Sequence, residues 1–374
     1  MKHFIIMLKP VSALCNLRCK YCFYFDLATM RENPSFGRMQ IQTVEKMLGH
    51  MDASLQEGDH VTFSFQGGEP TLAGLDFFIK FTQMVSRWYP SIRVSYTLQT
   101  NAVLLDDSWA CFFSENHFLI GISLDILQNV HDDCRIDEHG RGTFKRVVSA
   151  MKLLDKYRVE YNVLCTLTDQ LARHPQQVWR QICRLNVRYV QFTPCLGPLE
   201  EKGKNAYALT PERFASFYIT LFSLWFADFQ KGKYRSIKFF DDVIHLMAWG
   251  IPAACGINGA CQPQIVVEAD GSMYPCDFYC LDQYKIGNIT ENELSQLLMN
   301  DKHMAFLNRH RTEQAVCQNC AYQQFCGGNC RRMKNTICSK KDENFCGYRS
   351  FLKHCEKDLL RIACNEAARI KPIL

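Results

Sequence analysis

Over about the first 200 residues, short runs of β-branched and aromatic residues alternate with stretches whose apolar positions recur at helical spacing. The runs Phe4–Leu8, Val61–Phe65, Val94–Gln99, Leu119–Leu124, Val159–Cys165 and Tyr189–Phe192 predict strands. Between them, Ile41, Val44, Met47, Leu48 and Met51 share one helical face, as do Phe78, Phe81, Val85 and Trp88. Val147, Val148, Met151 and Leu154 give another. Strands alternating with helices predict βα units around a parallel sheet, and six such units suit an incomplete barrel. From Pro211 to about Gly250 the pattern turns helical and aromatic, with Phe214, Phe217, Tyr218, Leu221, Leu224 and Trp225, and predicts a bridging helix. From about Phe351 onward a further helix is expected. The expected division is an α/β domain over residues 1–235 and a second domain over residues 236–374.

Cysteine changes this picture. The 374 residues include 20 Cys, of which 12 lie from Cys255 onward. The apolar run Phe4–Leu8 is too short for a secretory signal, so the thiols read as metal-binding or catalytic, in a reducing cytoplasm, and not as a disulfide framework. No apolar run approaches the ~20 residues that span a bilayer. The net charge of +5 is spread over both signs without a basic block, so neither a membrane nor nucleic acid is an expected partner.

Cys15, Cys19 and Cys22 stand in the run Cys15-Asn16-Leu17-Arg18-Cys19-Lys20-Tyr21-Cys22-Phe23-Tyr24, directly after the first strand. A 4Fe–4S cluster normally takes four thiolates, so three leave one iron open to a substrate or cofactor. A zinc loop or three buried thiols is the alternative. Gln66-Gly67-Gly68-Glu69-Pro70 follows the second strand, where glycines let backbone groups approach a ligand. Thr100 and Asn101 end the third strand, and Ser123 and Asp125 the fourth. Such residues bind ligands or cap helices. Arg135 could pair bidentately with a carboxylate, with Arg141 as competitor. Further on, Cys255 and Cys261 precede Cys276, with Asp270-Gly271 marking a hairpin between them that would return Cys276 beside Cys261. A dense group follows: Cys317, Cys320, Cys326 and Cys330, with Cys338 and Cys346 beyond. Zinc or iron could occupy either foursome. Asp277 sits beside Cys276, where a polar turn residue that accepts a backbone N–H is the plain reading. His131 and His174 read as structural.

The Cys15–Tyr24 run, Phe-Gln-Gly-Gly-Glu-Pro-Thr-Leu-Ala-Gly-Leu, Leu-Gln-Thr-Asn and Tyr-Pro-Cys-Asp-Phe-Tyr together resemble the anaerobic sulfatase-maturating enzymes, which are radical S-adenosylmethionine (SAM) enzymes with a SPASM domain. The resemblance extends from Lys9-Pro10 to about residue 350. It implies an α/β fold: a partial (β/α)6 radical SAM barrel with a C-terminal cysteine-rich SPASM domain. It implies SAM and three 4Fe–4S clusters as cofactors. Cys15, Cys19 and Cys22 would hold the SAM-binding cluster. Cys255, Cys261, Cys276 and Cys330 would hold one auxiliary cluster, and Cys317, Cys320, Cys326 and Cys346 the other, with Cys280 and Cys338 as spare thiols able to replace Cys276 or Cys346. Tyr21, Phe23, Gly68, Glu69, Asn101, Ser123, Asp125 and Arg135 are the expected cofactor contacts. Asp277 would be the general base, with Tyr24 and Gln66 facing the same cavity.

The implied activity is an oxidoreductase reaction, a post-translational modification of a sulfatase Cys or Ser to Cα-formylglycine, started by a 5′-deoxyadenosyl radical that abstracts hydrogen from Cβ. The substrate would be an extended, unfolded peptide segment. The electron donor would be external, such as a flavodoxin or ferredoxin. One departure stands out: the family usually places Gly-Pro after the Ser-x-Asp of strand four, where this chain has Ile126-Leu127. A maturase of another ribosomal peptide, making a thioether or carbon–carbon crosslink, is the alternative reading; a non-enzymatic electron carrier would have no use for an open three-Cys site.

Overall fold

The computed structural model describes residues 2–199, 205–309, 315–339 and 344–369. Its strands are β1 (His3–Leu8), β2 (His60–Phe65), β3 (Arg93–Thr100), β4 (Leu119–Ser123), β5 (Tyr161–Leu167), β6 (Tyr189–Pro194), β7 (Ser236–Ile237), β8 (Ile265–Val267), β9 (Ser272–Tyr274) and β10 (Gly287–Asn288). The helices that matter here are α1 (Phe23–Thr29), α2 (Ile41–Asp52), α3 (Leu75–Trp88), α4 (Asp107–Glu115), α5 (Gln128–Cys134), α6 (Phe144–Lys156), α7 (Pro175–Arg184), α8 (Pro211–Phe229), α9 (Lys238–Trp249) and a last helix, Gly347–Arg369. The chain forms two units interleaved along the sequence: Met1–Ser123 with Asp132–Asn162 and Pro263–Arg309, and Leu124–His131 with Val163–Gln262 and His310–Leu374.

In the first unit the strands follow the order β10-β9-β8-β1-β2-β3-β4. β1, β2, β3 and β4 run parallel, with Leu8 opposite Phe65 and Leu98 opposite Ile120. Alternation sets the faces: Ile6 and Leu8 are fully buried while Ile5 is 55% exposed. α2 buries Val44, Met47, Leu48 and Met51, and α3 buries Phe78, Phe81 and Val85, matching the predicted faces except for Ile41, half-buried at the start of α2, and Trp88, exposed at the end of α3. Phe65 meets Phe78 and Phe81 edge-on with centroids 4.9 and 5.0 Å apart, so the core lies between the sheet and these helices. The hairpin expected around Asp270-Gly271 forms as β8 and β9, and β8 pairs parallel with β1. A segment more than 250 residues distant in sequence thus extends the first sheet beside the Cys loop.

In the second unit β5, β6 and β7 are parallel. β5 begins two residues later than expected. Arg158 takes the left-handed conformation (φ 55°) in the turn after α6, and the N–H of Val159 bonds back to Leu154 instead of entering a strand. The expected bridging helix is two helices, because the chain closes α8 with a turn at Gly232 (φ 75°) and passes through β7 before α9 begins. Among the described residues no helix is long and apolar enough to cross a membrane.

Candidate functional site

The loop after β1 carries the first three cysteines and is held on both sides. Toward the β2 loop, the N–H groups of Gly68 and Glu69 donate to the carbonyls of Ser12 (2.9 Å) and Leu14 (2.8 Å). A Cβ on Gly68 would fall 1.9 Å from the Leu14 carbonyl oxygen, so only glycine permits this approach. On the other side, Arg18 and Lys20 N–H donate to the carbonyls of Ile136 (2.8 Å) and Cys134 (3.0 Å). This places the Arg135 guanidinium over the Tyr21 ring, 5.4 Å from its centroid, and its charge acts on Cys22. Arg141, the competing candidate, is exposed and pairs with Asp137 at 3.4 Å.

Glu69 is buried and its side chain is spent on bracing. Oε1 accepts from Thr71 N–H, Thr71 Oγ1 and Thr100 Oγ1, and Oε2 from the N–H of Asn101 at 2.8 Å. Burial pushes its carboxyl up while these donors pull it down. The Asn101 amide in turn donates to Asn16 Oδ1 (2.8 Å) and reaches Cys15 Sγ at 3.9 Å. Thus the ends of β2 and β3 support the Cys loop. Ser123 is buried at the end of β4. In the second unit Asp125 is fully buried, accepts the Thr166 N–H at 2.9 Å, and donates its own N–H to His131 Nδ1 at 3.2 Å. His131 therefore has the structural part expected of it.

The sulfur environments fit cluster ligation. Cys15 Sγ accepts the Leu17 N–H at 3.4 Å. Burial pushes its thiol up to about 11, and that N–H works against the rise. Burial likewise raises Cys22, opposed by the N–H groups of Phe25 and Tyr24 at the start of α1. A buried thiol gives up its proton to a cation, and N–H groups aimed at sulfur favour the resulting thiolate. Cys19 is half-buried in the same loop.

Beside this loop lies a buried charged network that the sequence pattern does not announce. Asp277 Oδ1 lies 2.9 Å from the Lys9 ammonium, and Oδ2 accepts from the Tyr24 hydroxyl at 2.7 Å. Lys9, only 1% exposed, also lies 3.7 Å from Glu268, 3.2 Å from Cys280 Sγ and 4.8 Å from the Tyr24 ring centroid. Arg31 completes the set at 2.8 Å from Glu268. Two cations and two carboxylates balance, as burial of charge requires. Burial alone would lower the Lys9 ammonium; Asp277, Cys280 and Glu268 outweigh it and hold Lys9 above its ordinary value. Burial, then the Asp277 charge, pushes the Tyr24 phenol well up, so Tyr24 is a donor to Asp277. Cys280 is pushed up to about 12, mainly by burial, and donates to the Cys276 carbonyl. Phe23 packs on Tyr24 and Phe278, with centroids at 4.1 and 5.2 Å. The Gln66 side-chain amide donates to Ser64 Oγ at 3.2 Å.

In the second unit, Cys255 Sγ accepts the Gln262 N–H at 3.4 Å and Cys261 Sγ accepts the Arg331 guanidinium at 3.1 Å. A Cβ on Gly256 would meet that of Cys330 at 2.7 Å, so these three cysteines sit in close-packed turns. Cys276 belongs to the first unit. Burial pushes Cys326 up to about 11, opposed by the Gly328 N–H and joined by the charges of Cys346, Cys320 and Cys317. Cys338 hydrogen-bonds Cys346, which pulls the Cys346 thiol below its ordinary value, and Cys346 Sγ also accepts the Arg349 N–H at 3.4 Å. Among the described residues no group of three or more His, Cys, Asp or Glu is gathered as a single metal ion would need.

Residues 10–171 match the Radical SAM superfamily, and residues 255–321 the SPASM iron–sulfur cluster-binding domain. A cysteine-type anaerobic sulfatase-maturating enzyme of Clostridium novyi is 38% identical, over 97% of this chain and 97% of its own. One from Clostridium perfringens is 39% identical over 96% and 98%. A serine-type enzyme of Bacteroides thetaiotaomicron is 29% identical over 94% and 89%. The solved structure of native anSMEcpe with bound AdoMet and Cp18Cys peptide has a TM-score of 0.88 and 37% identity, covering 97% of this chain and 99% of that one. Streptococcus suis SuiB bound to precursor peptide SuiA, 15% identical with a TM-score of 0.61, shares the fold. With a SAM-type Cys loop, a braced Gly-Gly-Glu-Pro turn and this full-length likeness, the chain belongs to the anaerobic sulfatase-maturating enzymes, a family of radical SAM oxidoreductases with a SPASM domain.

Proposed function

We propose that this enzyme oxidises a cysteine in an extended sulfatase peptide to Cα-formylglycine. The observation that carries the reading is Asp277, a buried carboxylate fixed at one oxygen by Lys9 and at the other by Tyr24. When bound, SAM and three 4Fe–4S clusters would supply the 5′-deoxyadenosyl radical for hydrogen abstraction from Cβ and a sink for the remaining electron. Cys15, Cys19 and Cys22 would hold the first cluster. Cys255, Cys261, Cys276 and Cys330 would hold the second, and Cys317, Cys320, Cys326 and Cys346 the third. The engagement of Cys280 with Lys9 and the Cys276 carbonyl, and of Cys338 with Cys346, supports leaving both out of the ligand sets. Tyr21, Phe23, Gly68, Asn101, Ser123, Asp125 and Arg135 would line the SAM site, with Glu69 holding its loops in place.

Asp277 would take the proton of the substrate thiol. Tyr24 and Lys9 keep the carboxylate oriented, and their fixed dipole and charge need no rearrangement as the proton moves. Loss of the thiol proton, one Cβ hydrogen atom and one electron leaves a thioaldehyde, which water hydrolyses to the aldehyde with release of hydrogen sulfide. The cysteine-type names of the relatives at 38% and 39% identity support Cys over Ser. An external low-potential donor, of the flavodoxin or ferredoxin kind, would supply the first electron.

One observation favours a second reading, modification of a different peptide. Ile126, where the family usually has glycine, is buried and takes a left-handed φ of 36°. A β-branched residue is strained there, whereas a glycine would not be, so the change of residue type has a structural cost in this loop.

The test is anaerobic incubation of the reconstituted enzyme with SAM, dithionite and a peptide carrying Cys-x-Pro-x-Arg. Mass spectrometry should find 5′-deoxyadenosine and a peptide lighter by ~18 Da, the change from thiol to aldehyde. Deoxyadenosine with no change in the peptide would instead support the second reading.

A further inference from the structure

Arg331 has a side-chain direction that cluster ligation alone does not demand. It follows Cys330, yet its guanidinium turns to Cys261, donating to Sγ at 3.1 Å. It is also near enough to Cys255 for its charge to act on that thiol. The next residue, Arg332, carries the same charge but points elsewhere, donating to the Gly197 carbonyl at 2.6 Å. Neighbouring arginines thus separate two effects: a cation hydrogen-bonded to a ligand sulfur, and a cation merely close in sequence.

We propose that Arg331 is a positioning residue that raises the reduction potential of the auxiliary cluster whose proposed ligands include Cys255, Cys261 and Cys330. The inference rests on the proposed assignment of those thiols as cluster ligands. A donor on a ligand sulfur gains strength as that sulfur becomes more negative, so Arg331 favours the cluster that has accepted one electron over the one that has not. A charge-assisted hydrogen bond is worth enough to shift the electron-uptake equilibrium by about tenfold. For a one-electron couple that corresponds to ~59 mV. The consequence is that the electron left on the substrate after proton and hydrogen removal finds a more willing acceptor.

The experiment measures midpoint potentials by electron paramagnetic resonance in the reconstituted full chain. Cys15, Cys19 and Cys22 are replaced by Ala to silence the first cluster. Iron and sulfide are assayed in each preparation. Arg331→Gln should move one of the two remaining transitions to lower potential by about tenfold in equilibrium constant, ~59 mV, and leave the other in place. Arg332→Gln should move neither. Arg331→Lys keeps the charge but loses the planar fork, and should give a smaller shift in the same direction. This variant decides the matter if Arg331→Gln does not retain its cluster. Unmoved transitions in a fully loaded Arg331 variant, or equal shifts from Arg331→Gln and Arg332→Gln, would overturn the proposal. A triple-Ala parent without any iron–sulfur signal would overturn the ligand assignment itself, and is told apart because it appears before Arg331 is touched.

Discussion

At the scale of single residues, the proposed chemistry rests on the buried pair of Lys9 and Asp277. Asp277 is legible in the sequence because it follows a cysteine in Tyr-Pro-Cys-Asp-Phe-Tyr. Lys9 is not, because a lysine at the end of a strand is ordinarily solvated. Its burial follows only from Glu268 and Asp277, more than 250 residues away, which arrive when β8 pairs with β1. Asp277→Asn should retain deoxyadenosine formation but lower formylglycine yield by ~10²-fold or more, the usual worth of a general base. Equal yields from both proteins would remove Asp277 from that role. Lys9→Met leaves two carboxylates facing one guanidinium in a dry site, at a cost of about 3–5 kcal/mol. Anaerobic denaturant unfolding should register that loss; a change below about 1 kcal/mol would mean the network is wetter than its geometry implies.

At the scale of elements, the loops at the strand ends matter more than the strands. All six predicted strands of the α/β region are present, because each is written as a short β-branched and aromatic run, such as Phe4–Leu8, between helical stretches. What the pattern could not give is the lacing of the β1 loop to the β2 loop through Gly68 and Glu69, since it depends on carbonyls whose direction no side-chain pattern encodes. The two-residue error at β5 has the same origin: Val159 looks like strand by type, but Arg158 turns the chain first. Gly68→Ala tests the lacing directly. Its Cβ would collide with the Leu14 carbonyl, a backbone atom that cannot rotate away, so the Cys loop must move. We expect the reconstituted variant to lose about four irons per chain, the content of one cubane, together with deoxyadenosine formation. Full iron content and normal SAM cleavage would show that the loop tolerates the shift.

For the whole molecule, the interleaving of two units means that each core is built from distant parts of the sequence. In the second unit the last helix inserts Phe351 among aromatic side chains of α8 and α9: its centroid lies 5.0 Å from Phe239, 6.0 Å from Phe240 and 6.2 Å from both Tyr218 and Phe222. A helical, aromatic stretch from Pro211 to about Gly250 and a helix from about Phe351 are legible in the sequence, but their joint packing is not, because helices separated by about 100 residues give no sequence sign of which faces meet. Phe351 is fully buried, so Phe351→Ala removes its transfer energy and leaves a cavity, costing about 3–5 kcal/mol. In a unit of this size the thermal midpoint should fall on the order of 10 °C. Cys346 lies five residues before Phe351, at the start of the same helix, so its position depends on that packing. Cluster binding stabilises only the folded unit. The fall should therefore appear in both cluster-free and reconstituted protein, with iron retention on heating reduced in the variant. A midpoint unchanged in both forms would mean that the last helix, despite its buried aromatic face, contributes little to the stability of the unit that carries most of the auxiliary cysteines.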